Sequence, residues 1–396
     1  MAKINLNYSN LKTNYLFSDI ARKVSDYRTA FPNKEIIRMG IGDVTLPLVK
    51  PVVDALINAS SEMGNKETFK GYGDEQGYGF LRQSIQKYYI DNCNVQLKGN
   101  EIFISDGAKS DIANFTELFS NENTIIIPDP VYPVYLDSNL MFGRKIVFIE
   151  GNEENGFLPL PDENTKGDIV YLCSPNNPTG AVYNHDQLKE WVDFALKNNI
   201  IIFFDSAYEA FIADSSLPRS IYEIEGARNC AVEFCSLSKT AGFTGTRCGY
   251  TIVPEDITID GLSLNKMWLR RQTTKFNGTS YIVQRGAEAV FSQEGISACK
   301  ENINYYMNNA KIISKTLKES NVWFTGGINS PYIWLKCGMD SWEFFDLLLN
   351  KAQIVGTPGS GFGKCGEGFF RLTSFNTLEN TVEAMSRLKE FLKELH

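Results

Sequence analysis

Short, continuous apolar runs alternate with amphipathic stretches along the first two thirds of the chain. The runs "EIFIS", "TIIIP", "DIVYLC" and "IIIFFD" are rich in Ile, Val and Phe and show no polar alternation. Strands that are buried on both faces of a sheet have this pattern. Helical stretches follow the strands at crossover distance, which indicates a largely parallel sheet. We therefore predict an α/β fold with a large domain over residues 48–288.

The pattern changes near residue 290. An amphipathic stretch over roughly residues 293–319 is typical of a long helix. Three strand-like segments with glycine-rich turns follow, and the chain closes with the amphipathic segment "LENTVEAMSRLKEFLKEL". We predict a smaller α+β domain that combines residues 289–396 with residues 1–47, the latter including an N-terminal arm.

Composition narrows the class of protein. The chain has 396 residues, and its net charge of −8 argues against a nucleic-acid partner, which would require a basic surface. No apolar run reaches the length of a membrane span, and the first residues lack the pattern of a signal peptide. The eight cysteines show no C-x-x-C spacing. Reduced thiols in a cytoplasmic protein are the expectation.

Histidine is scarce. The two histidines are His185 and the C-terminal His396. A histidine-based metal site or a Ser-His-Asp triad is therefore not expected. Acid–base chemistry would fall to Lys, Tyr, Asp or Glu.

Polar residues stand directly after the predicted strands, where ligands bind in open α/β sheets. Asp205 ends the run "IIIFFD". It could cap a helix, or it could pair with a cationic ring nitrogen of a ligand. Tyr208 follows three residues later and could reach another edge of the same ligand.

Three further strand ends carry candidates. Asn177 lies in the turn "SPNNPTG", from which its amide could point into a pocket. "SDGAK" places Ala108 and Lys109 at the start of a helix, where free N–H groups bind phosphates. Tyr132, in "PDPVYPVY", could be a core residue or could stack on a planar ring.

The segment "FCSLSKTAGFTGTRCGY" gathers Ser236, Ser238, Lys239 and Arg247 among glycines. It could be a surface loop. It could also be a phosphate-binding site, in which the two hydroxyls and the guanidinium hold a phosphate dianion beside a nucleophilic lysine. Lysine forms Schiff bases with carbonyls, so pyridoxal 5′-phosphate would match this set together with an acidic partner for the ring nitrogen.

These segments, taken with "GFFRLTSF", resemble fold-type I pyridoxal-phosphate aminotransferases in order and spacing, over nearly the whole chain. The resemblance implies that Lys239 forms the Schiff base and moves the substrate proton, and that Asp205 pairs with the ring nitrogen. It implies that Asn177 and Tyr208 bind the ring hydroxyl. It assigns the phosphate to Ala108, Lys109, Ser236, Ser238 and Arg247.

On the same resemblance, Tyr132 stacks on the ring and Arg371 grips the substrate α-carboxylate. The alternative for Arg371 is a surface position on a strand. Lys109, Tyr132 and Asn177 are expected to contact substrate as well as cofactor.

The segments "LKTNYLFSDIARKV", "RMGIGDVTLPL", "KGYGDEQGYGFLR" and "TTKFNGTSY" narrow the resemblance to the LL-diaminopimelate aminotransferase family. That family interconverts LL-2,6-diaminopimelate plus 2-oxoglutarate and tetrahydrodipicolinate plus L-glutamate, in a ping-pong reaction on the lysine and diaminopimelate route. The resemblance implies a homodimer whose active sites are shared between subunits.

Further contacts follow from this resemblance alone. Tyr15 and Gly42 would contact substrate. Tyr72 would reach the cofactor phosphate across the dimer interface, and Asn277, likewise from the partner chain, would contact both cofactor and substrate. Glu75 would meet the distal ammonium of the substrate, because a buried ammonium needs an anion. Asp74 stands beside it as an alternative, and a solvated turn is a third interpretation of this segment.

Other functions remain open at this point. An aspartate or aromatic aminotransferase or a carbon–sulfur β-lyase would share the same central residues. A regulatory or binding module with an aminotransferase-like fold is an alternative of a different class.

Overall fold

The computed structural model describes residues 2–11, 16–40 and 42–395. Its centre is a seven-stranded sheet. The strands are, in chain order, β2 (Ile102–Ser105), β3 (Thr124–Asp129), β4 (Lys145–Glu150), β5 (Ile169–Cys173), β6 (Ile201–Asp205), β7 (Ala231–Ser236) and β8 (Gly249–Ile252), with β1 (Ile37–Arg38) outside this sheet. Across the sheet the order is β2–β8–β7–β6–β5–β3–β4, and β8 runs in the direction opposite to the other six strands.

Both faces of this sheet are buried, as the continuous apolar runs predict. Successive residues of a strand point to opposite faces, and Ile126 packs in one apolar cluster while Ile125 and Ile127 pack in another. The covering helices are α2 (Lys50–Met63), α3 (Gly79–Cys93), α4 (Ala108–Phe115), α5 (Val134–Met141), α6 (His185–Asn198), α7 (Leu237–Thr240), α8 (Leu264–Lys275) and α9 (Tyr281–Val290). The predicted α/β class with a mostly parallel sheet is confirmed.

A smaller antiparallel sheet lies in the C-terminal part. Its strands run in the order β11 (Phe324–Gly326), β12 (Tyr332–Lys336), β15 (Phe369–Thr373) and β14 (Thr357–Pro358). The remaining short strands are β9 (Thr258–Ile259), β10 (Leu262–Ser263) and β13 (Ile354–Val355). β13 pairs in parallel with β1, which ties the N-terminal segment to this part of the chain.

The remaining helices are α1 (Leu16–Ala30), α10 (Gln293–Glu319), α11 (Ser341–Ala352) and α12 (Leu378–Leu395). The long helix and the closing helix match their predictions, and Ser292 caps α10 by accepting a hydrogen bond from the Gly295 N–H at 3.0 Å. Helix α10 contributes Cys299 to the apolar core of the large sheet and Ile303 to the apolar core of the C-terminal part. It therefore joins the two parts of the structure. The division at residues 47/48 and 288/289 stays a prediction.

Two observations concern membrane-spanning segments and disulfide bonds. Within the described ranges, no helix combines the length and apolarity that crossing a membrane requires. All eight cysteines lie in the described residues and are free thiols.

Candidate active site

A cavity of about 300 Å³ opens at the carboxyl ends of the central strands. Asp205 and Ser236 lie at the ends of β6 and β7, and Asn177 and Tyr132 follow β5 and β3. Twelve residues singled out from the sequence line this cavity: Gly42, Ala108, Lys109, Tyr132, Asn177, Asp205, Tyr208, Ser236, Ser238, Lys239, Arg247 and Arg371. The fold therefore brings together residues that are up to 329 positions apart in the chain, as Gly42 and Arg371 show.

Asp205 is a buried carboxyl held in one orientation. The Tyr135 hydroxyl donates to its Oδ2 at 2.6 Å, and the Ala207 N–H donates to its Oδ1 at 3.0 Å. Burial raises the pKa of Asp205, and the hydrogen bond from Tyr135 opposes that shift. The helix-cap interpretation is wrong, because the next helical turn, Glu209–Phe211, is preceded by Tyr208 at its cap position.

An anion-binding recess forms where α4 begins. Gly107 precedes the helix with a φ of 138°, a conformation that favours glycine. A Cβ on Gly107 would lie 2.5 Å from Arg247 Nη2, and a Cβ on Gly249 would lie 2.8 Å from the Gly107 Cα. These two glycines therefore allow the guanidinium to approach the first N–H groups of the helix.

The serine side of this recess comes from β7 and α7. Arg247 Nη1 donates to Ser238 Oγ at 3.1 Å, and Ser236 Oγ accepts from the Ser238 N–H at 3.1 Å. The first part of the segment, Phe234 to Ala241, is a strand end and a short helix, so the surface-loop interpretation is wrong for that part. Residues 242–247 form a turn and loop in which Gly245 and Arg247 are exposed.

Two lysines of the cavity have lowered pKa values. Burial lowers the pKa of Lys239 from 10.5 to about 8; Asp43 opposes the shift, while Arg247 and Arg371 add to it. Burial and the neighbouring Arg247 also lower the pKa of Lys109. With a pKa of about 8, roughly one tenth of Lys239 is neutral at pH 7 and about half at pH 8, and the neutral amine is the form that a base or nucleophile requires.

Arg371 is fully buried at 1% exposure, so its interpretation as a surface residue is wrong. Its Nη1 donates to Asn177 Oδ1 and its Nη2 donates to the Gly40 carbonyl, both at 2.6 Å. The guanidinium carbon lies 4.4 Å from the ring centre of Tyr332 and 4.7 Å from that of Phe362. These contacts hold a planar cation at the cavity wall, in the form that binds a carboxylate with two hydrogen bonds.

The sequence reasoning missed two tyrosines of the cavity. Tyr135 supports Asp205, and the hydroxyls of Tyr332 and Tyr208 are 2.7 Å apart. Tyr135 lies in the first turn of α5, whereas Tyr132 precedes that helix, so helical spacing gives no signal for Tyr135. Tyr332 lies within a buried strand and carries no signal either. Phe17, Ile112, Cys173 and Ala207 complete the lining.

A second group of predicted residues lies outside this cavity. Tyr72 is 92% exposed, Asn277 is exposed and Glu75 is half-buried. Their two loops adjoin, since a Cβ on Gly278 would lie 3.3 Å from the Asp74 carbonyl oxygen. Tyr15 lies outside the described residues.

The cavity combines a buried arginine with a lysine of lowered pKa, and the fold is of the α/β transferase class. This combination suits the transfer of amino groups between amino acids and 2-oxo acids. Comparison agrees with this class. The chain belongs to the aminotransferase class I and II family, whose model matches residues 34–388.

Individual relatives make the comparison more specific. An LL-diaminopimelate aminotransferase of Methanosphaera stadtmanae is 51% identical over 98% of both chains. One from Parabacteroides distasonis is 52% identical over 99% of this chain and all of the relative. The solved L,L-diaminopimelate aminotransferase of Chlamydomonas reinhardtii has a TM-score of 0.93 at 40% identity over 98% of both chains. The resemblance inferred from the sequence motifs is confirmed.

Proposed function

We propose that this protein is an LL-diaminopimelate aminotransferase, which interconverts LL-2,6-diaminopimelate plus 2-oxoglutarate and tetrahydrodipicolinate plus L-glutamate. The observation that carries the proposal is the end-to-end identity of 51% and 52% with two relatives of that name. The cavity supports it, because Lys239, Asp205 and Arg371 line the same space. The reaction belongs to lysine and diaminopimelate biosynthesis, and we place it in the cytoplasm.

Pyridoxal 5′-phosphate is the proposed cofactor, and the residues present fit it. Because Gly107 has no side chain, Arg247 can lie against the start of α4, and hydroxyl, guanidinium and helix N-terminal donors meet in this recess. Its phosphate ligands would be Ala108, Lys109, Ser236, Ser238 and Arg247. Asp205 would face the ring nitrogen, Asn177 and Tyr208 the ring hydroxyl, and Tyr132 the ring plane.

When bound, this cofactor takes up the amino group and accepts the electrons released at the substrate α-carbon. The chain provides the remaining functions. Lys239 would take and return the α-proton, for which a pKa of about 8 is well placed. Arg371 would hold the α-carboxylate in both half-reactions, and this common hold suits a ping-pong exchange of amino and 2-oxo acids.

We further propose a homodimer with shared active sites. Tyr72 and Asn277 are exposed and lie apart from the cavity of their own chain, as residues that serve a second subunit would. Between the two candidate acids, we assign the distal ammonium to Glu75. Asp74 is 78% exposed, and its Oδ2 lies 3.9 Å from Arg82 Nη2, whereas Glu75 is half-buried.

The test compares substrates on the purified enzyme reconstituted with pyridoxal 5′-phosphate. LL-diaminopimelate, meso-diaminopimelate, aspartate and tyrosine are added separately, and conversion of the cofactor to its amino form is followed by absorbance. We expect rapid conversion with LL-diaminopimelate. If only aspartate or tyrosine converted the cofactor, the assignment of substrate would be wrong.

A matched pair of variants then tests the distal contact. Glu75→Gln removes the proposed anion and should raise KM for LL-diaminopimelate about tenfold, the value of one charge-assisted hydrogen bond, and leave KM for glutamate unchanged. Asp74→Asn is the control and should leave both values near wild type. The reverse outcome would assign the contact to Asp74.

A further inference from the structure

A second cavity of about 520 Å³ lies behind the active site, on the other side of β7. We call it the rear cavity. Ser236 lines both cavities, and Leu237 and Thr240 of α7 line the rear one beside Lys239, which lines the active site. Its volume falls in the range of small-molecule sites. The rear cavity is therefore a separate space that shares one wall with the proposed phosphate recess.

One face of α10 forms its long wall. Ile296, Lys300, Ile303, Met307 and Lys311 line the cavity at steps of three and four residues, which places them on the same side of the helix. Buried apolar side chains from the large domain, among them Phe211 and Ile212, continue the wall.

The mouth of the cavity leaves apolar surface in water. Ile328 is 74% exposed and Ile296 is 39% exposed, and both line the cavity. Covering such surface is favourable, since burial of apolar area drives association. The occupant must therefore present an apolar body.

The charged side chains of the rear cavity determine which charge the polar end of a bound ligand should carry. The ionised side chains lining the rear cavity are Glu209, Arg219, Lys300 and Lys311, an excess of positive charge. Glu209 and Arg219 balance each other's charge in an ion pair at 3.2 Å, and Tyr88 also donates a hydrogen bond to Glu209 at 2.9 Å. The two lysines are exposed at the mouth. A ligand with a single anionic group complements this arrangement.

We propose that the rear cavity is a binding site for a small amphipathic anion, with a flat apolar body against α10 and one carboxylate or sulfonate at one end of that wall, at Lys300 or at Lys311, which lie about 16 Å apart along the helix. The apolar body would lie against Ile303 and Met307. The site is independent of the substrate site, because none of these four residues lines the active-site cavity.

The experiment uses the holoenzyme and the fluorescent probe anilinonaphthalene sulfonate. We expect saturable binding at one probe per chain, without displacement by saturating glutamate. The double variant Lys300→Glu/Lys311→Glu should weaken binding about three- to tenfold, since it replaces the lysine that the anion contacts, at either end of the wall, by a carboxylate that repels it. The double variant Lys315→Glu/Lys318→Glu is the control, with the same charge change on α10 away from the cavity.

A second probe separates the two parts of the proposal. Phenylnaphthylamine lacks the sulfonate, so its binding should be weaker and should not respond to the lysine variants. Ile328→Glu, at an exposed position, should weaken both probes. Equal loss of sulfonate binding in both double variants would overturn the proposal, as would displacement by glutamate or unsaturable binding.

Discussion

Removing one hydroxyl from Tyr135 tests how the carboxyl of Asp205 is held. Tyr135 is fully buried, its hydroxyl donates to Asp205 Oδ2 at 2.6 Å, and its ring stacks on that of Tyr171 at 4.8 Å between centres. Tyr135→Phe keeps the ring and the stacking and removes a single oxygen. The Ala207 N–H remains as a donor to the other carboxylate oxygen.

The expected magnitude follows from the kind of hydrogen bond. A hydrogen bond to a charged acceptor contributes about 1.5–3 kcal/mol. Losing it from the ionised form of Asp205 therefore corresponds to a decrease in rate of roughly tenfold to a hundredfold. Because burial already raises the pKa of Asp205 and Tyr135 opposes that rise, the variant should raise this pKa further. We therefore expect kcat/KM to fall by that factor at neutral pH.

The pH dependence has a definite sign. A carboxyl whose pKa is raised on folding binds its proton more tightly in the folded state, so stability falls as pH rises from the unfolded pKa to the folded one. In the cofactor-free protein, Tyr135→Phe should extend that fall to higher pH. The variant should therefore lose more stability near neutral pH than near pH 4, as measured by urea unfolding at each pH.

The control deletes a neighbouring hydroxyl. Tyr171→Phe also removes a buried phenol oxygen, which accepts from Asn139 Nδ2 at 3.0 Å and does not line the active-site cavity. It should leave kcat/KM near wild type. A double-mutant cycle with Asp205→Asn completes the test. If Tyr135→Phe cost as much activity in the Asp205→Asn background, or no more than Tyr171→Phe, the proposed support of Asp205 would be refuted.

Three further predictions concern the cavity and the dimer. In the cofactor-free protein, the charged form of Lys239 is disfavoured because its pKa is about 8 instead of 10.5, a cost of up to roughly 3 kcal/mol below pH 8 that disappears as pH rises to 10.5. Lys239→Met should therefore unfold at higher urea than wild type at pH 7 and lose this advantage by pH 10.5; equal stability at pH 7 would contradict the shift. Arg371→Lys should lower kcat/KM at least about a hundredfold, because an ammonium cannot form the planar two-point contact, whereas Arg387→Lys on α12 should have no effect in the same kinetic assay. Mixed dimers of Lys239→Ala and Tyr72→Ala subunits should regain activity absent from either parent, since one of the two shared sites is then intact, and failure to regain it in refolded mixtures would exclude shared sites.

Local sequence was sufficient for four of the seven strands of the large sheet, for the helices α10 and α12, and for the residues at the strand ends. Continuous apolar runs such as residues 200–204 can only be buried on both faces, and topology then requires that Asp205 and Ser236 meet at one edge. Tyr135 and Tyr332 were missed because their contacts join residues that are distant in the sequence. Tyr135 reaches Asp205 over 70 residues of sequence and Tyr332 reaches Tyr208 over 124, and no local pattern records such packing.

The residues proposed for the chemistry and those proposed for substrate choice lie in different parts of the structure. The shift of the Lys239 pKa arises mainly from burial within one chain. Glu75 and Asn277 lie on loops outside the cavity of their own chain, so the burial that lowers the Lys239 pKa within one chain does not depend on them. Substitutions in those loops should therefore change which amino acid is accepted and leave the lowered pKa of Lys239 in place, whereas substitutions at Asp205 or Arg371 should impair every substrate alike.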